Sequence, residues 1–347
     1  MDIRLNLEND LNNLAARKMR KANIQWDDNS NISIFEQYTN LLNRSIEPKP
    51  RAIKTTPNLI CPASLVNGYN TLIFKLLNGL NVNTYLSSNI KLAHYNDDFL
   101  NDFGFHHFHL GSDICKKGKS KGFVTRTGPI LIAYITDSTA YLIGIYQHGK
   151  TAPHIWAEQA LVETMHNLWP EAIAKFRVNG ISTLTEKLTS EERMLLRKKA
   201  YNTFLEMSDG TIYGCIGGGI TAAKTNVNLT IEYDKLILHS HIIIDNFAQH
   251  VSSQHQDINF YPMFLKVIDI KSGLLIFDET NNTYYILKYI GRNKIEIVKF
   301  VNHDIIEHYD YSSKLVINKI TESVAYYRLF CKAKSVILNH AKMTSDT

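Results

Sequence analysis

Residues 122–149 read GFVTRTGPILIAYITDSTAYLIGIYQHG, and this stretch decides the fold of the middle of the chain. Two runs, Ile130–Thr136 and Ala140–Tyr146, are rich in β-branched and aromatic residues, and Asp137-Ser138-Thr139 separates them. Two short apolar runs joined by turn residues are typical of an antiparallel hairpin. The sequence therefore predicts two adjacent strands of one sheet, with the helical pattern that begins at Trp156 packed on or beside them.

A further strand is predicted just before this hairpin, at FHHFHL, residues 105–110. Successive side chains of a strand point to opposite faces, so His107 and His109 share one face while His106, Phe108 and Leu110 share the other. If Phe108 and Leu110 face the core, His107 and His109 either face solvent or belong to a functional site.

The rest of the chain indicates an α+β fold. Helical spacing of apolar residues predicts helices near the N-terminus, and Pro48 and Pro50 interrupt them. Further helices are predicted over Trp156–Leu168, Thr185–Met207 and Ala222–Ser252. Beyond Phe260 the pattern predicts a meander of about four antiparallel strands, closed by a helix over Ile320–Ala341. We expect a helical N-terminal region (1–98), a central mixed domain with an antiparallel sheet (99–257) and a C-terminal antiparallel β-meander with a closing helix (258–347).

Composition limits the class of protein. The 347 residues are 44% hydrophobic and 20% charged, which excludes a disordered chain and predicts two or three domains. Thirty-eight Lys and Arg oppose 33 Asp and Glu, so the net charge of +5 is compatible with nucleic acid without being diagnostic. The N-terminus carries acidic and amide residues where a secretory signal needs a continuous apolar segment, and no stretch reaches about 18 uninterrupted apolar residues. We therefore expect a cytoplasmic protein without a membrane partner. The four cysteines lie far apart and predict reduced thiols, not a zinc site: Cys61, Cys115, Cys215 and Cys331.

Chemically useful residues concentrate between Phe105 and Trp156. Five of the fourteen histidines lie there: His106, His107, His109, His148 and His154. Six cationic residues stand among them: Lys116, Lys117, Lys119, Lys121, Arg126 and Lys150. Only Asp113 and Asp137 oppose these cations, so the segment carries most of the net charge of the chain.

This combination favours RNA cleavage without a metal. Cations can hold phosphates and stabilise the charge of the transition state. Histidine, with an unperturbed pKa near 6.5, can exchange protons with ribose oxygens. Aromatic residues such as Tyr134 could stack on a base.

The same segment resembles the sheet of RelE/ParE-type toxin ribonucleases. The resemblance covers about residues 100–155 and rests on HHFHLG, a basic loop, GFVTRTGPILIAYI, a tight turn and AYLIGIYQHG. It implies that Arg126 takes the position of the phosphate-binding arginine and that His148 takes that of the terminal histidine. The lysines from Lys116 to Lys121, here called the lysine loop, would correspond to the basic loop of that family.

The leading hypothesis is a metal-independent endoribonuclease that acts as a toxin or phage-defence effector on RNA, needs no cofactor, and could have an antitoxin or another regulatory protein as its partner. Arg126 would bind the scissile phosphate, His148 would act as general acid or base, and the lysine loop would steer RNA. His107 and His109 would be second proton-transfer or positioning groups. Two alternatives stay open: a non-catalytic module that binds nucleic acid or protein, and a metal-dependent hydrolase ligated by His107, His109 and His148.

A glycine run, Gly217-Gly218-Gly219, has two interpretations. Glycines ahead of a helix can admit a phosphate to its N-terminus, where Thr221 and Lys224 could bind an anion. The run lacks the GK[ST] of a P-loop, however, and its spacing does not fit a dinucleotide fingerprint. The sequence favours a structural turn with close backbone packing.

Overall fold

The computed structural model describes residues 3–254, 263–269, 274–291, 294–301 and 304–310. The chain divides into two compact units. Residues 22–231 form the central unit, and described residues of 1–21 and 232–347 form the other. The division falls inside the long helix Val227–Gln254, so the ends of the helices do not show where one unit stops and the other begins.

The fold is α+β, as the sequence predicts. Its α-helices are α1 Leu7–Lys21, α2 Ile34–Arg44, α3 Val66–Leu77, α4 Asp98–Phe103, α5 Gln159–Leu168, α6 Pro170–Ile173, α7 Ser190–Lys198 and α8 Val227–Gln254. Its strands are β1 Ile3–Arg4, β2 Ala52–Thr55, β3 Phe105–His109, β4 Pro129–Ile135, β5 Thr139–Gln147, β6 Leu205–Glu206, β7 Ile212–Tyr213, β8 Met263–Asp269, β9 Leu274–Asp278, β10 Thr283–Gly291, β11 Lys294–Val301 and β12 Asp304–Asp310.

The predicted hairpin is confirmed. Strands β4 and β5 pair antiparallel, with Ile130 opposite Tyr146 and Ala133 opposite Leu142. A β-bulge between Ile132 and Ala133 shifts the register within this pair. Strand β3 pairs antiparallel with β4, and β2 pairs parallel with β5, so the sheet order is β2-β5-β4-β3.

Both faces of this sheet are covered, which gives the central unit three layers. One core cluster joins Phe105, Ile130 and Ile143 to buried residues of α4, α5 and α6, and the helix that follows Trp156 therefore packs on the sheet as predicted. The other cluster joins Phe108 and Leu131 to buried residues of α3. Because both faces are covered, His107 and His109 do not simply face solvent.

The second unit is built on a six-stranded sheet with the order β1-β8-β9-β10-β11-β12. Strands β8 to β12 pair antiparallel in sequence order, which confirms the C-terminal meander and adds a fifth strand to the predicted four. Strand β1 joins the sheet parallel to β8, and the Asp10 side chain of α1 accepts a hydrogen bond from the Val267 N–H at 2.8 Å. The predicted closing helix, Ile320–Ala341, lies outside the described residues.

The predicted boundary at residues 98 and 99 does not coincide with the compact units. Strand β2 belongs to the central sheet, and Leu72 and Leu76 of α3 share a core with Phe108 and Leu131. Residues 22–98 therefore belong to the central unit, whereas α1 belongs with the C-terminal sheet. Contacts distant in sequence decide this grouping, and helical periodicity does not reveal them.

The helix predicted over Thr185–Met207 is much shorter in the structure. Helix α7 starts with a capping box between Thr189 and Glu192 and ends at Lys198. Ala200 has a φ of +62°, in the left-handed region that an α-helix cannot continue through. The charged residues fit a helical pattern, but the left-handed backbone at Ala200, two residues past Lys198, prevents the helix from continuing.

The glycine run is a structural turn, as the sequence favours. A Cβ on Gly217 would lie 1.8 Å from the carbonyl oxygen of Leu100, so only glycine fits this approach of two backbone segments. The Gly217 N–H donates to the Asp102 carbonyl, and the Gly219 N–H donates to the Asn101 carbonyl. These bonds join the turn to α4.

Among the described helices, none is both long enough and apolar enough to cross a membrane. Three of the cysteines, Cys61, Cys115 and Cys215, are free thiols and half-buried. Cys331 lies outside the described residues.

Candidate functional site

A cavity of about 350 Å³ opens beside the β3 edge of the central sheet. It brings together His107 from β3, Arg126 from the segment before β4, and His148 immediately after β5. Trp156 completes this group, and its ring centroid lies 5.1 Å from that of His107 and 5.9 Å from that of His148. Three of the predicted site residues therefore line one cavity.

The hairpin explains why Arg126 and His148 meet. Arg126 precedes β4 and His148 follows β5, and the entry and exit of an antiparallel pair fall at the same end of the sheet. The Nδ1 atom of His148 makes a short hydrogen bond with the carbonyl oxygen of Gly128. Because a carbonyl only accepts, Nδ1 must carry the proton, and Nε2 is left to exchange a proton with a ligand.

His107 is held mainly in the neutral state. Burial lowers its pKa, Asp97 opposes that shift, and the charges of His148 and Arg126 add to it. A neutral imidazole in a cavity is suited to accept a proton.

His109 lies behind these groups and does not line the cavity. It is only 2% exposed, and its ring centroid lies 6.2 Å from that of His107 and 5.7 Å from that of His148. Its Nδ1 accepts a hydrogen bond from the Thr127 N–H at 3.4 Å, and burial lowers its pKa to about 3. This position suits a residue that supports the other two imidazoles without contacting a ligand.

A buried ion pair holds the Trp156 wall of the cavity. Arg197 donates to Asp102 from Nε at 2.9 Å and from Nη2 at 2.6 Å, and both residues are 5% exposed. A further short bond runs from Arg197 Nη1 to the Trp156 carbonyl. The ring of Trp156 also meets Phe99 edge-on, with centroids 5.2 Å apart. Because Asp102 neutralises Arg197, the free positive charge of the lining comes from Arg126 and Lys198.

The lining also contains two carboxylates that the sequence patterns do not single out as site residues, Asp97 and Asp98. Asp97 is the N-cap of α4, where its Oδ1 accepts from the Leu100 N–H at 3.1 Å. A signal for this helix exists, because an aspartate before an apolar run and a glycine after it, here Gly104, mark helix ends. That signal would have placed Asp97 and Asp98 at a helix start next to β3.

The lysine loop lies outside the cavity. All four lysines are exposed, and none is among the described residues that line the cavity. Tyr134 is also elsewhere: it is 8% exposed, and its ring packs edge-on against Phe105 in the core with centroids 6.2 Å apart. A ring enclosed in this way cannot stack on a base, so the predicted role of Tyr134 does not fit its position.

The metal-site alternative has no support in the geometry. In the part of the chain that the structure describes, no group of three or more His, Cys, Asp or Glu side chains is arranged to hold a metal ion. The rings of His107, His109 and His148 are neighbours, but His109 already uses Nδ1 as an acceptor for a backbone N–H.

The chain matches no protein-family model, no curated protein and no solved structure. The likeness to RelE/ParE-type toxins therefore remains a prediction from the sequence.

Proposed function

We propose that the cavity cleaves single-stranded RNA without a metal ion. The observation that carries the proposal is the convergence of two histidines in different environments, His107 and His148, with the guanidinium of Arg126, which no carboxylate of the described residues pairs. Proton transfer in both directions and charge stabilisation are what phosphodiester cleavage requires. The volume is near the lower end of the roughly 300–1,000 Å³ that is usual for sites of small ligands, so it admits one nucleotide unit and not a duplex.

We propose a role for each group from its environment. His107, kept neutral by burial, takes the proton of the ribose 2′-hydroxyl as that oxygen attacks phosphorus. His148 enters this step as the imidazolium and gives its Nε2 proton to the departing 5′-oxygen, which leaves the neutral ring with its Nδ1–H on the Gly128 carbonyl. Arg126 binds the non-bridging phosphate oxygens, whose charge grows in the transition state. The products are a 2′,3′-cyclic phosphate and a 5′-hydroxyl.

His109 is a positioning residue in this scheme. It contacts the rings of both His107 and His148, and its own ring is fixed by the Thr127 N–H. In a cell, an activity of this kind would degrade RNA, as we expect of a toxin or a phage-defence effector, and an antitoxin or other regulatory partner remains a prediction.

The test is cleavage of a single-stranded RNA by the purified chain in excess EDTA. We expect activity to persist, because no step uses a metal, and the 3′ ends to carry cyclic phosphate. Loss of activity in EDTA that zinc or manganese restores would overturn the proposal in favour of a metal-dependent hydrolase. RNA binding without any cleavage would favour the non-catalytic binding module.

A further inference from the structure

The cavity holds hydrogen-bond acceptors that the proposed cleavage does not use. Asp97 already caps α4 and opposes the lowering of the pKa of the nearby His107. The Asp98 carboxylate is half-buried, and among the described residues no hydrogen bond or ion pair holds it. A side-chain oxygen of the neighbouring Asn96 is also buried without a hydrogen-bond partner in the described part of the chain. Unpaired acceptors in a cavity are costly unless a ligand supplies the donors.

The remaining lining suits a flat ring. Tyr95 and Trp156 contribute aromatic side chains, and Met194 adds an apolar one. Nucleobases stack on aromatic side chains whatever their identity, so the walls can hold a base and the acceptors can select it.

Resting on the proposed function, we propose that the cavity selects guanine: one unpaired guanosine enters with its 3′-phosphate on Arg126 and its base on Asp98. Guanine has two adjacent donors on its Watson–Crick edge, N1–H and N2–H, which match the two oxygens of one carboxylate. Adenine and cytosine each place a ring acceptor beside their donor, and uracil places acceptors on both sides of its N3–H. Those edges would set an acceptor against one oxygen of Asp98, so they bind less well.

Nucleotide binding tests this selection without any need for cleavage. The probes are the 3′-monophosphates of guanosine, inosine and adenosine, titrated calorimetrically into the intact chain. Inosine lacks only the N2 amino group, and we expect its nucleotide to bind about tenfold more weakly than the guanosine nucleotide, as the loss of one hydrogen bond to a charged acceptor implies. We expect adenosine 3′-monophosphate to bind more weakly still.

The variant Asp98→Asn sharpens the test, because an amide pairs one donor and one acceptor. This variant should weaken the binding of guanosine 3′-monophosphate about tenfold or more. It should also shift the preference toward adenosine 3′-monophosphate, because the base edge of adenine offers the one donor and one acceptor that an amide can pair. Asp113→Asn is the matched control, since Asp113 is exposed and outside the cavity lining, and it should change neither affinity. Thermal unfolding of both variants checks that the fold is intact.

The outcomes separate this inference from the proposed function. Equal affinities for the guanosine and adenosine nucleotides, or an unchanged preference in Asp98→Asn, would overturn the selection of guanine. RNA cleavage with no preference for guanosine would overturn it too, while leaving the proposed function standing. Selective binding of guanosine 3′-monophosphate without RNA cleavage would support the base site and overturn the proposed function.

Discussion

The cavity and the lysine loop lie close in sequence but differ in how their polar groups are held. In the cavity, His107 and His148 are half-buried and ordered by neighbouring groups, and His109 behind them is buried. In the loop, the lysines from Lys116 to Lys121 are exposed around a turn that backbone hydrogen bonds close, such as the one from the Gly122 N–H to the Cys115 carbonyl. In this protein the run of lysines in the sequence therefore forms an exposed surface, whereas the cavity forms where side chains from several separate elements meet.

The largest difference between the two regions should appear when the cavity is changed. His148→Ala and Arg126→Ala should each lower RNA cleavage by about 10²–10⁴-fold, because the first removes the proposed proton-transfer group and the second the proposed charge-stabilising group. RNA binding should weaken more in Arg126→Ala, since the proposed mechanism places the phosphate on that side chain. Cleavage rates at saturating RNA, together with equilibrium binding of RNA, provide the measurement.

Matched controls exist outside the cavity. His154 and Lys150 are exposed, and neither is among the described residues of the lining, so His154→Ala and Lys150→Ala should retain full cleavage. If His148→Ala and Arg126→Ala are folded and as active as these controls, the assignment of roles in the cavity is wrong.

Lowering the pH should lower the free energy of unfolding, because His109 is buried in its neutral form. The folded-state pKa of His109 is lowered to about 3, whereas the unfolded chain has the ordinary value of about 6.5. As the pH falls below about 6.5, the unfolded state takes up the proton first, so stability is full above that pH and falls toward pH 3. For this group alone the loss between pH 7.5 and 4.5 is about 2–3 kcal/mol.

The substitution His109→Asn isolates that contribution. Asparagine cannot titrate and still offers an acceptor to the Thr127 N–H, so the free energy of unfolding should depend less on pH in the variant than in the parent. Urea unfolding at pH 7.5 and 4.5 measures the difference, and the exposed His154→Asn is the control. An equal pH dependence in His109→Asn and the parent would contradict the burial of a neutral His109.

The smallest effect is expected in the lysine loop. Replacing Lys116, Lys117, Lys119 and Lys121 by Gln should leave cleavage at saturating RNA within about twofold, because exposed side chains outside the cavity contribute little to the chemical step or to stability. Binding at low salt should weaken, and the salt slope should fall by about 0.7 for each phosphate of a single strand that the loop no longer binds. A large fall in cleavage at saturating RNA would mean that the loop closes over the cavity.

Much of the central sheet could be predicted because its signals are local. The Asp137-Ser138-Thr139 turn and its two flanking apolar runs specify the hairpin, and alternation along FHHFHL correctly places His107 and His109 on one face. The hairpin in turn specifies the meeting of Arg126 with His148. These relations depend on strand periodicity and antiparallel pairing alone.

The rest of the site depends on tertiary packing. The sequence offers Trp156 either as a residue of a core helix or as an aromatic that could stack on a base, and it does not reveal that Arg197, about 40 residues later, binds the Trp156 carbonyl. Tyr134 looks like an accessible aromatic residue, but the covering of both sheet faces encloses it. The cap residue Asp97 and the terminal Gly104 mark the ends of α4 in the sequence, but the packing of the Gly217 backbone against Leu100 depends on tertiary structure that no periodic pattern encodes.

The parallel pairing of β1 with β8 has a consequence for the order in which the protein is made. The side chain of Asp10 and the backbone of Val267 are 257 residues apart in the chain, so α1 leaves the ribosome long before its sheet exists. The buried face of α1, which includes Leu7, Leu11 and Leu14, has no partner strand until Met263–Asp269 has been synthesised. Residues 22–231 are translated entirely within that interval and can assemble first. Helix α1 is therefore made before the central unit, and the strand on which it packs is synthesised only after that unit is complete.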